Sequence, residues 1–224
     1  MQELKPESLS KYKALILDLD GTILDSMQVW NKVDELFLEK RGFKVDSEYT
    51  NTVKSCSMQQ SAEYTIERFG LKETPEEVIS EWQETVDEEY RHNIKLKDGV
   101  REFLEEAAKR GIKITCATAL AKMNAVECLS NNGVYDFFEH ITTLEDIGSD
   151  VNKNDPHIFL LAAEKLGMNA GECLVFEDVY GAIEGAIKGG FDTCIVYDEL
   201  SAKDYEKALK IANYGIKDWK SAVC

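Results

Sequence analysis

The apolar run Ala14-Leu15-Ile16-Leu17 stops at Asp18, and Leu19-Asp20-Gly21-Thr22 follows at once. Two carboxylates two residues apart therefore stand where a buried strand leaves its sheet. A continuous aliphatic run reads as a strand covered on both faces, hence as part of a parallel sheet. In open α/β sheets, ligands bind at the carboxyl ends of such strands. A carboxylate withdrawn from water needs a cation or hydrogen-bond donors beside it. Two in one mouth repel each other and call for a divalent metal or a shared proton.

Further along the chain, other strand ends are also polar. Ile114-Thr115-Cys116-Ala117 runs into Thr118, and Leu174-Val175-Phe176 into Glu177-Asp178. Lys153 lies between them in the loop Asn152-Lys153-Asn154-Asp155-Pro156, just before a helix start. If these strands are parallel neighbours, Asp18, Asp20, Thr118, Lys153, Glu177 and Asp178 converge at one sheet edge. Several carboxylates around a single ammonium need a hard cation, and an all-oxygen donor set suits Mg²⁺.

The elements that would position these residues alternate. Helical patterns over 100–110, 124–132, 156–166, 180–188 and 203–212 separate strands at 112–117, 141–143, 173–176 and 193–197, with 214–216 as an edge strand. Gly111, Gly133, Gly167 and Gly189-Gly190 mark helix ends. Such alternation predicts an α/β fold: a doubly wound, Rossmann-like parallel sheet. Between Ser26 and Ile94 the pattern is different. Met27–Arg41 and Ser57–Phe69 have helical periodicity, and Thr74-Pro75-Glu76-Glu77 combines a capping Thr, a first-turn Pro and a Glu that can cap in return. Residues 26–95 are therefore expected to form an inserted helical cap subdomain, and 1–25 with 96–224 the core.

Composition sets outer bounds. The 224 residues carry 26 Lys and Arg against 42 Asp and Glu, a formal net charge of -16. Such a surface repels nucleic acid and anionic membranes, so neither is an expected partner. No apolar run is long enough to span a bilayer and the first residues lack a signal peptide's hydrophobic stretch, so a cytoplasmic monomer is the expectation. The six cysteines form no C-x-x-C pair, and His92, His140 and His157 fall in separate elements, so no zinc-like spacing is present.

The ordered motifs resemble those of the haloacid dehalogenase-like superfamily over essentially the whole chain. Asp18-Leu19-Asp20-Gly21-Thr22 resembles its first motif, Thr118 stands at its second, Lys153 with Pro156 at its third and Glu177-Asp178 at its fourth. Residues Lys153–Gly167 and Cys173–Gly190 are similar to the branch containing β-phosphoglucomutase and phosphoglycolate phosphatase, which places a helical cap after the first motif. Two departures stand out: Asn152 and Asn154 flank Lys153 where Gly and Pro are usual, and Val179 replaces a Ser.

The resemblance implies an Mg²⁺-dependent phosphatase acting on a small soluble phosphate monoester through an aspartyl-phosphate. Asp18 would be the nucleophile and Asp20 the general acid and base. Asp18, Asp178, the Asp20 carbonyl and Glu177 would hold the metal. Thr118 and Lys153 would contact the phosphoryl group, with Ala119 and Lys122 next to it. Trp30, Lys54 and Met58 are the candidates to line the substrate entrance. Trp30 and Met58 take the places of a His and an Arg that handle the sugar phosphate in β-phosphoglucomutase. Neither can shuttle a proton, and Met58 cannot clamp a second phosphate, so hydrolysis is favoured over the alternative, a sugar-phosphate phosphomutase. Joints near Asp25-Ser26 and Lys95–Gly99 are expected to act as hinges that close the cap.

Overall fold

The computed structural model describes residues 2–53, 56–148 and 152–223. The chain divides into two compact units, Met1–Ser26 with Ile94–Cys224, and Met27–Asn93. Among the described residues the first is built on seven parallel strands: β1 Gln2–Glu3, β2 Ala14–Leu17, β3 Lys113–Thr118, β4 Ile141–Thr143, β5 Cys173–Glu177, β6 Asp192–Val196 and β7 Tyr214–Ile216. Their order is β1-β7-β6-β5-β2-β3-β4. From β2 the chain winds outward through β3 and β4, then crosses back to β5 and winds the other way. The reversal falls at β2, between β3 and β5. In a doubly wound sheet that is the crevice where ligands bind.

Side-chain alternation sends β2 and β5 into two cores. Ala14, Ile16, Cys173 and Val175 pack with Ile158, Phe159, Ala162, Ala182 and Ala186. These come from helices α7 (His157–Lys165) and α8 (Tyr180–Lys188). On the opposite face Phe176 stacks 5.2 Å from Trp219 and lies edge-on, 5.4 Å from Phe103 of α5 (Val100–Lys109). The Trp219 indole N–H donates to the Thr22 carbonyl at 3.1 Å. That bond ties the core to the turn that follows Asp18. Gly21, at φ 73°, occupies the left-handed region that this turn requires.

The second unit is helical, with α1 Val29–Glu39, α2 Ser47–Val53, α3 Met58–Phe69 and α4 Pro75–His92. Reciprocal capping boxes open two of them, Ser57 with Gln60 and Thr74 with Glu77. Arg41 bridges Glu73 and Glu81 at 2.8 and 2.6 Å and lies over the Phe37 ring. Among the described residues, no helix of either unit is long and apolar enough to cross a membrane.

Several element boundaries differ from the sequence reading. Strand β1 was not expected, because two residues carry no pattern. Helix α2 was also missed: its sequence SEYTNTV has weak helix formers and gains its order from the buried Tyr49. Helix α6 begins at Lys122 and ends at Asn131, and α9 spans Ala202–Ala208, four residues shorter at its C-terminal end than the periodicity indicated.

One packing detail bears on the loop that carries Lys153. A Cβ on Gly185 would lie 2.1 Å from the Lys153 carbonyl oxygen, and one on Gly181 would lie 2.1 Å from Asn154 Oδ1. These two glycines, four residues apart on α8, let its backbone receive the loop directly. A Gly185→Ala substitution is expected to displace Lys153 and lower stability by about 1–3 kcal/mol, read as a reduced urea midpoint. An unchanged midpoint would show that the loop has room to yield.

Candidate active site

Parallel pairing brings the strand ends level. Leu17 pairs with Cys116 on β3 and with Phe176 on β5. Asp18 therefore emerges between the ends of both neighbours, and its N–H donates to the Phe176 carbonyl at 3.1 Å. Thr118 closes β3 and Glu177 closes β5, with Asp178 directly after.

The centre of this edge is an ion cluster. The Lys153 ammonium, largely buried, contacts Asp18 Oδ1 and lies 2.5 Å from Glu177 Oε1. The second Glu177 oxygen accepts the Asp178 N–H at 3.2 Å. Asp18, Glu177 and Asp178 are 4%, 1% and 1% exposed. One ligand oxygen from each lies within 4.8 Å of the others. Asp178 Oδ2 is buried without a hydrogen-bond partner. An unpartnered buried carboxylate oxygen beside two further carboxylates fits a hard divalent cation, which prefers oxygen donors. Both Glu177 oxygens are already engaged, so Asp18 and Asp178 offer the freer donors.

Electrostatics bear this out. Burial works against the charge on Lys153, but the Asp18 and Glu177 carboxylates outweigh it and hold its pKa above that of an ordinary lysine. Burial, then the Asp18 charge, pushes the Glu177 carboxyl up to about 8 and that of Asp178 up to about 7. Without a metal, burial and the neighbouring carboxylate charge therefore favour protons on Glu177 and Asp178.

Asp20 is half-buried and its Oδ1 accepts the Ser26 hydroxyl at 2.6 Å. The Thr118 oxygen accepts the Leu120 N–H at 3.0 Å, which leaves the hydroxyl proton to be donated elsewhere. Thr118 does not cap α6, whose N-cap is Ala121. Ala119 is exposed, and the half-exposed Lys122 lies 3.8 Å from Asp146. Trp30 and Met58 belong to the helical unit, and Lys54 lies outside the described residues.

Two positioning groups escaped the sequence reading. Ser26 carries no motif signal beyond its nearness to Asp20. Lys97 donates to the Gly21 carbonyl and to the Tyr197 carbonyl at 3.2 Å, and pairs with Asp198 at 2.8 Å. It thereby fastens the turn after Asp18 to the end of β6. Its spacing from Asp18 marks nothing, because the link is purely tertiary.

The raised acids make a prediction with a definite sign. In the folded, metal-free chain Glu177 and Asp178 bind more protons than they do unfolded, from about pH 4 up to about pH 8. Their stabilising contribution is complete below that window and is lost as the pH rises through it. A dication replaces those protons, so magnesium chloride is expected to raise Tm more at about pH 8 than at about pH 6. Equal shifts at both pH values would contradict this account of the cluster.

Comparison with known proteins follows the same lines. Residues 15–196 match the family model described as haloacid dehalogenase-like hydrolase. YhcW of Bacillus subtilis is 30% identical over 203 residues, covering 88% of this chain and 91% of that protein. The phosphorylated carbohydrates phosphatase of Thermotoga maritima is 23% identical over 197 residues, covering 88% and 89%. A Thermotoga maritima crystal structure shares the fold, with a TM-score of 0.83 at 23% identity over 93% of this chain and 96% of that one. With four-fifths of its length inside the family model and a relative at this identity along nearly all of it, the chain belongs to the haloacid dehalogenase-like hydrolases.

Proposed function

We propose that this chain is an Mg²⁺-dependent phosphatase that hydrolyses a small soluble phosphate monoester through an aspartyl-phosphate. One observation carries the reading: Lys153 is clamped between Asp18 and Glu177 beside the partnerless oxygen of Asp178, at the topological switch point of the sheet. The phosphatase among the relatives supports the same reaction class.

Asp18, Asp178 and the Asp20 carbonyl would hold the ion, with Glu177 assisting. When bound, the ion supplies Lewis-acid polarisation and offsets charge on the phosphoryl oxygens. The chain's own residues account for the remaining steps. One Asp18 oxygen attacks phosphorus, forming the acyl phosphate as the ester P–O bond breaks, while the other, beside Lys153, is the one left to hold the ion. Asp20, oriented by Ser26, gives its proton to the departing oxygen. It then takes a proton from water, which attacks phosphorus, breaks the bond to Asp18 and releases inorganic phosphate. Lys153 and the Thr118 hydroxyl stabilise charge on the transferring group, so positioning and electrostatics do most of the catalysis.

A panel of phosphate monoesters assayed with Mg²⁺ and with chelator tests the reading. Phosphate release is expected to need the ion and to vanish in Asp18→Asn, whereas Asp20→Asn slows turnover by roughly 10²–10⁴-fold. Full turnover in Asp18→Asn would refute the assignment. Formation of an isomeric ester dependent on added bisphosphate, in place of inorganic phosphate, would identify a phosphomutase.

A further inference from the structure

The loop that leaves β6 comes to the same sheet edge as the acidic cluster. Glu177 stands opposite Ile195 in the parallel register, so the chain beyond Val196 leaves the sheet on the side of Asp178. Lys97 holds this loop by the Tyr197 carbonyl and the Asp198 carboxylate. The other Asp198 oxygen accepts the Leu200 N–H at 2.9 Å. The loop ends at Ser201, the N-cap of α9.

Serine is favoured at an N-cap because its oxygen accepts a backbone N–H of the first turn. Ser201 does not act in this way. Its side chain makes no capping bond, and its Oγ, in a residue 8% exposed, has no hydrogen-bond partner among the described residues. A buried hydroxyl left unmade is destabilising and calls for an explanation. The Asp178 carboxylate faces it. Burial and then the Asp18 charge raise that acid's pKa, and the Ser201 hydroxyl acts against both. The bond is not closed, and Asp178 Oδ2 is likewise buried and partnerless. Nearby acceptors are already taken: both oxygens of Asp198 by Lys97 and the Leu200 N–H, both of Glu177 by Lys153 and the Asp178 N–H. An unmatched donor and an unmatched acceptor thus adjoin at the crevice.

We infer that Ser201 is a positioning residue of the metal site: its hydroxyl donates to one oxygen of Asp178 and leaves the other to face the ion. A carboxylate free to rotate offers a cation a poorly aimed donor. One held by a hydrogen bond is oriented beforehand, and such outer support is a regular part of metal sites. The hydroxyl and a dication act in the same direction, because both favour the ionised carboxylate. A capping role lacks its bond, and a packing role would be met by alanine without burying a hydroxyl. The inference rests on the proposed Mg²⁺ site and goes beyond it by assigning a group from a loop outside the four motifs.

Magnesium chloride alone is the probe, and the readout is independent of catalysis. The rise in Tm of the full chain with magnesium concentration gives the half-saturating concentration. Ser201→Ala, shown to be folded by circular dichroism, is expected to need about tenfold more magnesium for the same effect. Ser201→Thr keeps the hydroxyl and is expected to bind magnesium like the unaltered chain. A serine with a merely structural role would lower the metal-free Tm of Ser201→Ala and leave the half-saturating concentration where it was. That result overturns the proposal, as does equal weakening in the threonine variant. If magnesium leaves the Tm of the unaltered chain unmoved, the metal site fails and this inference with it. A magnesium response weakened in Ser201→Ala alone, in a chain that releases phosphate from no monoester, would sink the phosphatase reading and leave Ser201 standing.

Discussion

The contact of the Lys153 ammonium with Asp18 and Glu177 is the constraint around which the core unit is arranged. Each of these ions is nearly removed from water. A buried charge of this kind persists only when its partners are placed well, because desolvation otherwise exceeds the attraction. Good placement requires three separate stretches to meet. Strand β2 supplies Asp18, β5 supplies Glu177, and the loop before α7 supplies Lys153. The two strands meet through their parallel register. The loop reaches them because Gly185 of α8 leaves no side chain between the helix and the Lys153–Asn154 backbone, and Gly181 leaves room for the Asn154 side chain.

The same cluster explains why the turn after Asp18 is so heavily fastened. Asp20 follows the strand by three residues, and a carboxylate on a free loop would not hold a direction. Four contacts restrain the segment. Ser26 binds the Asp20 side chain, Lys97 holds the Gly21 carbonyl, Trp219 holds that of Thr22, and the Lys97 N–H pairs with the Ile23 carbonyl at 2.8 Å. Groups that must be placed to within a fraction of an ångström need such support from elements that do not themselves react. Lys97 and Trp219 are bound into the core by Asp198 and by Phe103 with Phe176, so the turn inherits the rigidity of the sheet.

Much of this was legible in the sequence. An aliphatic run that ends on a carboxylate announces both the strand and the acidic residues gathered at its end, and the convergence of Asp18 with Glu177-Asp178 was readable for that reason. The alternation of strands and helices carried the sheet class. The sequence offers no comparable signal where a residue acts through contacts distant along the chain. Lys97 and Trp219 reach the turn across 76 and 197 residues, and no local periodicity marks either one. The run GAIEGAIKGG reads locally as a weak helix with glycines in its interior. Only the loop lying against it shows why those positions lack side chains. Strand β1 and helix α2 went unread because each gains its order from tertiary pairing or packing that short, weakly patterned segments do not encode.

Charge balance gives the arrangement its functional sense. Three carboxylates and one ammonium leave two negative charges in the crevice, within a chain whose net charge is already -16. A phosphate dianion would be repelled by both the local and the overall field. Two protons on Glu177 and Asp178 would neutralise the crevice, and burial favours them there in the absence of metal. A protonated Glu177, however, loses much of its attraction for Lys153, and a protonated Asp178 loses donor strength toward a cation. A single dication cancels the same two charges while leaving every carboxylate ionised and Lys153 fully paired. It also presents positive charge toward the ester, which protons buried on carboxyl groups do not. Under the proposed reaction, the acidic cluster and Lys153 would thus make anion binding conditional on a dication and would keep Asp18, the proposed nucleophile, charged when the ion is bound.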